Sequence, residues 1–287
     1  MQILGFILAG LVGVSLGLIG GGGSILTVPI LVYVLGLNPV LATSYSLFIV
    51  GSTSVVGAVN NYRSGFVSIK TALLFGLSSI LTVFIIRKLV MPEIPEIIFS
   101  TDKIQVTQSL ATMILFAVLM LLAAISMIKA KIKSNDIVVT DGNQKPALLK
   151  LLLYGMSIGL ATGFLGAGGG FLLIPVLVLI LKMPMKMAVG TSLLIIALNS
   201  LIGFTGDIGH FIIDWKFLIT ITGIAIVGVF VGGILSKKID GDRLRKAFGW
   251  FILVMGLLII IRELLFSWGS ITSVSLTFNY SFYLYIN

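Results

Sequence analysis

Cysteine is absent from the 287 residues, and histidine occurs once, at His210. The first absence excludes disulfides, thiolate metal sites and thiol nucleophiles. The second excludes H-E-x-x-H zinc chemistry, which needs two histidines on one helix. Charge is scarce too: 10% of residues are Asp, Glu, Lys or Arg, and the first of them is Arg63. A secretory leader opens on a positive n-region, so residues 1–20, which have none, are expected to belong to the mature fold. No G-x-x-x-x-G-K-[ST] phosphate loop is present, so ATP hydrolysis through that motif is excluded. GVSLG at 13–17 matches the G-x-S-x-G nucleophile elbow in letters only. It lies in an apolar stretch rather than a strand-turn-helix, and no histidine is near it in the sequence. No cofactor and no metal are expected.

What the chain has instead is apolar length. Hydrophobic residues make up 58% of it, and the mean hydropathy is +1.18. Apolar segments fall near 2–20, 24–36, 40–60, 67–91, 108–129, 148–165, 171–182, 188–204, 213–236 and 247–268. Several reach the roughly 20 residues that cross a bilayer, which predicts an all-α polytopic membrane protein. The net charge of +9 sits in short clusters between these segments. That is the distribution of the positive-inside rule rather than of a nucleic-acid-binding surface.

The chain repeats itself. Pro29 and Pro175 lie 146 positions apart, and the same offset pairs Gly17 with Gly163, Gly20 with Gly166, Gly22 with Gly168 and Gly23 with Gly169. It continues through Ala42/Ala188, Ser46/Ser192, Leu47/Leu193, Ser54/Ser200, Gly57/Gly203 and Lys70/Lys216. The predicted organisation is a transmembrane repeat at 1–128, a cytoplasmic linker at 129–147, a second repeat at 148–268 and an atypical tail at 269–287. Five segments per half is an odd number, so the halves should be inverted in the membrane. Lys129, Lys131, Lys133, Lys145 and Lys150 flank one loop, and Lys237, Lys238, Arg243, Arg245 and Lys246 fill the loop at 236–246. Both loops are therefore expected in the cytoplasm of a cell-membrane protein. The acidic loop MPEIPEIIFSTD, 91–102, then falls outside, although it is the repeat-mate of the basic 236–246 loop. Trp250 and Trp268 flank the last span as interfacial aromatics do. Arg87 and Lys88 fit poorly, because they fall near the outer face.

The short segments at 25–36 and 171–182 run for about 12 residues, or roughly 18 Å, against a hydrocarbon core of roughly 30 Å. Each follows a glycine run, GLIGGGGSILTVP at 17–29 or GFLGAGGGFLLIP at 163–175. Glycine inside a helix costs about 1 kcal/mol relative to alanine, so the runs predict hairpins broken near mid-membrane. Non-helical backbone at that depth must face protein or a watery cavity. A helix that restarts there presents free N–H groups and a partial positive charge to the cavity. Ser24 is placed to cap the first of these helices. Two such tips from opposite leaflets would make an anion site, as in transporters with discontinuous helices. Close packing through small residues is the alternative explanation of the glycines.

This reading nominates Gly20, Gly21, Gly22, Gly23 and Ser24 with Gly166, Gly168, Gly169 and Gly170 as substrate-binding residues. Ser44 and Ser46 of ATSYS, Thr191 and Ser192 of AVGTS, and the deeply placed Asn199 join them as polar side chains within the apolar spans. Asn60 and Arg63 close the third span of the first half, and Asp207 and His210 close that of the second. They are candidates for gating, with Arg63 attracting an anion and Asp207 or His210 coupling protons.

These motifs resemble the TauE/SafE family of sulfite and organosulfur-anion exporters. The resemblance is carried by the two glycine motifs with ATSYS and AVGTS after them, and it runs over about residues 1–268. It implies a plasma-membrane secondary transporter of a small anion such as sulfite, a sulfonate or a related carboxylate. A passive anion channel would share the architecture. An intramembrane enzyme or assembly subunit would need a nucleophile–base pair, for which His210 is a poor candidate. The tail GSITSVSLTFNYSFYLYIN departs from the family pattern.

Overall fold

The computed structural model describes residues 2–95, 97–101, 104–129, 148–165, 169–210, 212–240 and 243–263. Helices α1 (Gln2–Ile19), α2 (Gly22–Pro29), α3 (Pro39–Arg63), α4 (Ile69–Ile85) and α5 (Gln108–Lys129) form the first half. They are followed by α6 (Leu148–Leu165), α7 (Gly170–Pro175), α8 (Met185–Asp207), α9 (Trp215–Lys238) and α10 (Arg243–Glu263). Among the described residues six helices are long and apolar enough to cross a bilayer: α3, α4 with its extension to Glu93, α5, α8, α9 and α10. The chain is thus a helical, multi-pass membrane protein. Of the linker at 129–147 only Lys129 is described, and Gly166, Gly168, Trp268 and the tail lie outside the described residues.

Local chemistry sets several boundaries. Pro39 opens α3 behind Asn38, whose Oδ1 accepts from the Val40 N–H at 2.9 Å. The Asp214 carboxylate accepts from the Phe217 N–H at 3.1 Å and caps α9. Pro29 and Pro175 cannot donate to the helical ladder, and a five-residue π-turn follows each, Ile30–Val34 and Val176–Ile180. The backbone then turns left-handed at Gly36 and at Lys182, 146 positions apart. One element differs from the all-helical expectation. At the end of the acidic loop β1 (Ile97–Thr101) pairs antiparallel with β2 (Ile104–Thr107), which follows it, Phe99 facing Val106. The β-branched residues of IIFST and IQVT favour strand over helix.

Patterning is that of a membrane protein. On α4, Leu73, Leu77, Leu81, Ile85 and Leu89 recur every four residues and are all exposed, an apolar stripe suited to acyl chains. Most serines and threonines of α3 and α8, and Asn199, turn inward instead. The helices pair across the halves: α1 packs mainly on α9, α6 on α4, and α3 on α8. Glycines make the close pairs. A Cβ on Gly13 or Gly17 would strike the α9 backbone at Ala225 or Val229, and one on Gly159 would lie 2.5 Å from the Ser79 carbonyl oxygen. Such small-residue faces let membrane helices approach closely. Gly159→Ala should therefore destabilise the purified protein by about 1–3 kcal/mol through overpacking. Gly223→Ala, where nothing lies within 4 Å of the added methyl, should not. Thermal unfolding in detergent compares the two.

Candidate functional site

α1 stops at Ile19, and the chain turns through Gly20, which adopts φ +77°, before α2 begins at Gly22. Gly169, at φ +67°, precedes α7 in the same way. Both dihedrals lie in the left-handed region that glycine enters without penalty. The two breaks touch. A Cβ on Gly170 would stand 2.6 Å from Gly21 Cα, 2.6 Å from Ile196 Cδ1 and 3.1 Å from Ser24 Oγ. One on Gly21 would strike the Gly170 backbone, and one on Gly20 would reach 3.1 Å from Ser192 Oγ. Backbone meets backbone with no room for a side chain. Gly23 faces elsewhere: its Cβ would lie 2.5 Å from the Val12 carbonyl oxygen, inside the α1–α2 hairpin.

Ser24 does not cap α2. The helix begins two residues earlier, at Gly22, so Ser24 sits in its first turn and its Oγ donates back to the Gly21 carbonyl at 2.6 Å. Thr162, which the sequence reading missed, lies at this junction, because a Cβ on Gly169 would strike its hydroxyl. That hydroxyl is fully buried and has no partner among the described residues.

The nominated polar side chains do not share one environment. Ser192 Oγ donates to the Val189 carbonyl at 2.9 Å beside Gly20. Thr191 Oγ1 instead accepts from the Ser68 N–H at 3.0 Å, fastening α8 to the start of α4. Ser46 is fully buried with no partner for its Oγ among the described residues. Asn199 lies one turn beyond Ile196, where Nδ2 donates to Ser79 Oγ at 2.7 Å and Oδ1 is unpartnered among the described residues. Ser44 is buried beside the Asp207 carboxyl. Buried polar atoms are almost always satisfied in folded proteins, so Thr162, Ser46 and Asn199 mark polar interior rather than filler.

The two ends of the α3–α8 pair differ. At the Asp207 end a cavity of about 750 Å³ is lined by Asn38, Arg87, Gln108, Asp207 and His210 among others. Asp207 is no solvated loop residue. It is the last residue of α8, it is 2% exposed, and its Oδ2 receives Arg87 Nη1 at 3.2 Å. This pair also explains the awkward Arg87 of the sequence reading: a charge inside a span seeks an opposite charge or a cavity. Lys88 lies over the Phe84 ring, 5.3 Å from its centroid. His210 is exposed at the rim. At the other end a cavity of about 310 Å³ is lined by Asn60, Asn61, Ser64, Lys186 and Gly233 among others. Arg63 is exposed and outside this lining, whereas Asn60 is part of it. Arg87 could have been found by asking which acidic residue ends a span at the same end of the helix bundle.

The family described as "Sulfite exporter TauE/SafE" matches residues 5–259. The chain is 28% identical over 271 residues to a "Probable membrane transporter protein" of Xylella fastidiosa (strain 9a5c), covering 92% of this chain and 95% of that protein. It is 26% identical to "Probable membrane transporter protein YunE" of Bacillus subtilis, over 91% of this chain and 94% of that one. A shorter match, 37% identical over 109 residues, joins it to "Probable membrane transporter protein MJ0441" of Methanocaldococcus jannaschii. No solved structure matches. These names indicate transport rather than catalysis. With the family match running over nearly all of its six-span helical body, the chain belongs to the TauE/SafE family of membrane transporters.

Proposed function

We propose that the chain is a secondary transporter that exports a small oxyanion, such as sulfite, a sulfonate or a related carboxylate, across the cell membrane. The observation that carries this reading is the contact between the two broken helices at Gly21 and Gly170, with Ser24, Thr162 and Ser192 around it. The first-turn N–H groups of α2 have no partner within their helix, and the hydroxyls of Ser24, Thr162 and Ser192 lie at the junction together with Val189 and Ile196. An oxyanion held there needs no buried cation of its own. The sulfur chemistry comes from the family description alone.

The halves act as inverted repeats. The exchange of partners, α1 on α9 and α6 on α4, supports a two-fold relation in the membrane plane, as do the recurring π-turns at the 146-residue offset. The basic loops at 129–150 and 236–246 face the cytoplasm. The small cavity at Asn60 and Lys186 is then the inner vestibule, and the large one at Arg87 and Asp207 the outer. Transport alternates access between them around the glycine junction. Backbone packed on backbone at that junction favours a carrier over an open pore.

Proteoliposomes loaded with radiolabelled sulfite should release it faster than protein-free vesicles, with a rate that saturates. Thr162→Val removes a hydroxyl that has no partner among the described residues while keeping its shape, so it should leave thermal stability unchanged or raised. It should cut efflux by about tenfold if that hydroxyl meets the anion, the loss of one good hydrogen bond. Unchanged efflux would remove Thr162 from the path, and the absence of flux for sulfite, methanesulfonate and acetate alike would reject transport of this class. Topology has its own check. The chain lacks cysteine, so Lys133→Cys should react with an impermeant maleimide only from the cytoplasmic side, and Glu93→Cys only from outside.

A further inference from the structure

Arg87 is the largest fully buried side chain among the described residues, and it is bonded along one side only. Nη1 donates to both Asp207 Oδ2 at 3.2 Å and Thr43 Oγ1 at 3.1 Å. Nε and Nη2 have no acceptor among the described residues. Those two nitrogens share an edge of the planar guanidinium, and their parallel N–H groups match two oxygens of a single anion. An ion pair built for stability alone would turn this fork toward the carboxylate. Here Asp207 takes the third nitrogen and leaves the fork unused. A buried donor without an acceptor is costly, so its retention calls for a use.

The surroundings agree. Arg87 lies in a π-turn, Ile86–Val90, a deformation that concentrates at functional positions. Gly206 lets that turn close in, since a Cβ there would stand 3.1 Å from Arg87 Cβ. Arg87 and Asp207 both line the cavity of about 750 Å³. The residues 146 positions from them are Gly233 and Asn61, which line the opposite cavity and carry no charge. A device needed merely to close a mouth would serve both ends, and this one exists at a single end.

We propose that Arg87 is an oxyanion-binding residue of this cavity. Its Nε–Nη2 edge takes two oxygens of a sulfite, sulfonate or carboxylate group, while Asp207 and Thr43 hold the guanidinium in register through Nη1. Both free nitrogens are shielded from solvent in this conformation, so the anion reaches them as the cavity opens around the pair. The role of such a site, a second station for the anion on the outer side, rests on the transport reading; its chemistry does not.

Calorimetric titration of the purified full-length protein with sodium sulfite, sodium methanesulfonate and sodium acetate tests it, with sodium chloride as the monatomic comparator. Arg87→Lys, which keeps the charge and loses the fork, should weaken oxyanion binding about tenfold, and the double variant Arg87→Gln/Asp207→Asn, which leaves no charge unpaired, by about 10- to 100-fold. Asp207→Asn, whose amide oxygen still accepts from Nη1 while the competing negative charge is gone, should bind the oxyanions more tightly. A structural pair would behave otherwise, with each single variant unstable and the double one binding normally. A monodisperse double variant that binds sulfite within about threefold of wild type overturns the proposal, and so does a wild-type protein that binds none of the three oxyanions. Efflux measured alongside separates the readings. Flux with Arg87-independent binding rejects this site and spares transport, whereas Arg87-dependent binding without flux does the reverse.

Discussion

The contact between Gly21 and Gly170 is the constraint on which the interior is organised. Two chain breaks, one from each half, can meet backbone to backbone only where neither carries a Cβ. Their meeting fixes where α2 and α7 restart, and it sets the level of every polar group on the facing side of α8. Along that helix Ser192 lies at Gly20, Ile196 at Gly170, Asn199 at Ser79 and Gly206 at Arg87. One face of one helix thus carries the polar interior from the glycine junction to the ion pair.

The outside of the molecule imposes the opposite requirement. Lipid offers no hydrogen bonds, so backbone and side-chain polarity must be satisfied within the protein. The leucine stripe of α4 and the hydroxyls that bond back to their own helices, such as Thr82 to Ser78 and Thr53 to Ile49, meet that condition. Against this background the oxygens of Ser46, Thr162 and Asn199 and the nitrogens of Arg87 that lack a partner among the described residues stand out. They are buried on the inward faces of their helices and not on the lipid-facing stripe.

Much of this was legible in the sequence, because the signals were local or periodic. The glycine runs located both breaks, the segment lengths separated short helices from spanning ones, and the 146-residue offset aligned Pro29 with Pro175. The polar strings ATSYS and AVGTS were found, but not their uses: Thr191 fastens α4, and Ser192 sits beside Gly20. What escaped depended on contacts between distant segments. Arg87 and Asp207 are 120 residues apart in sequence and 3.2 Å apart in space, and no periodicity links them. Thr162 carries no signal of its own in the sequence, and its place at the junction follows only from how the chain folds back at Gly169. The ribbon at 97–107 was hidden in a loop labelled by its charge, although its β-branched residues carried the information.

The crossed pairing of helices also governs how the chain is made. The Gly13–Gly17 face of α1 finds its close partner in α9, whose glycines Gly228 and Gly232 lie some two hundred residues downstream. Ribosomal synthesis proceeds at roughly 5–20 residues per second, so α1 waits on the order of ten seconds or more with its seam open to lipid. During that interval the nascent first half has no native mate for its longest small-residue surface. Each half leaves a glycine seam, α1 or α6, to be closed by a helix of the other, so co-expressed halves would have to find each other within the bilayer before either acquired its final packing.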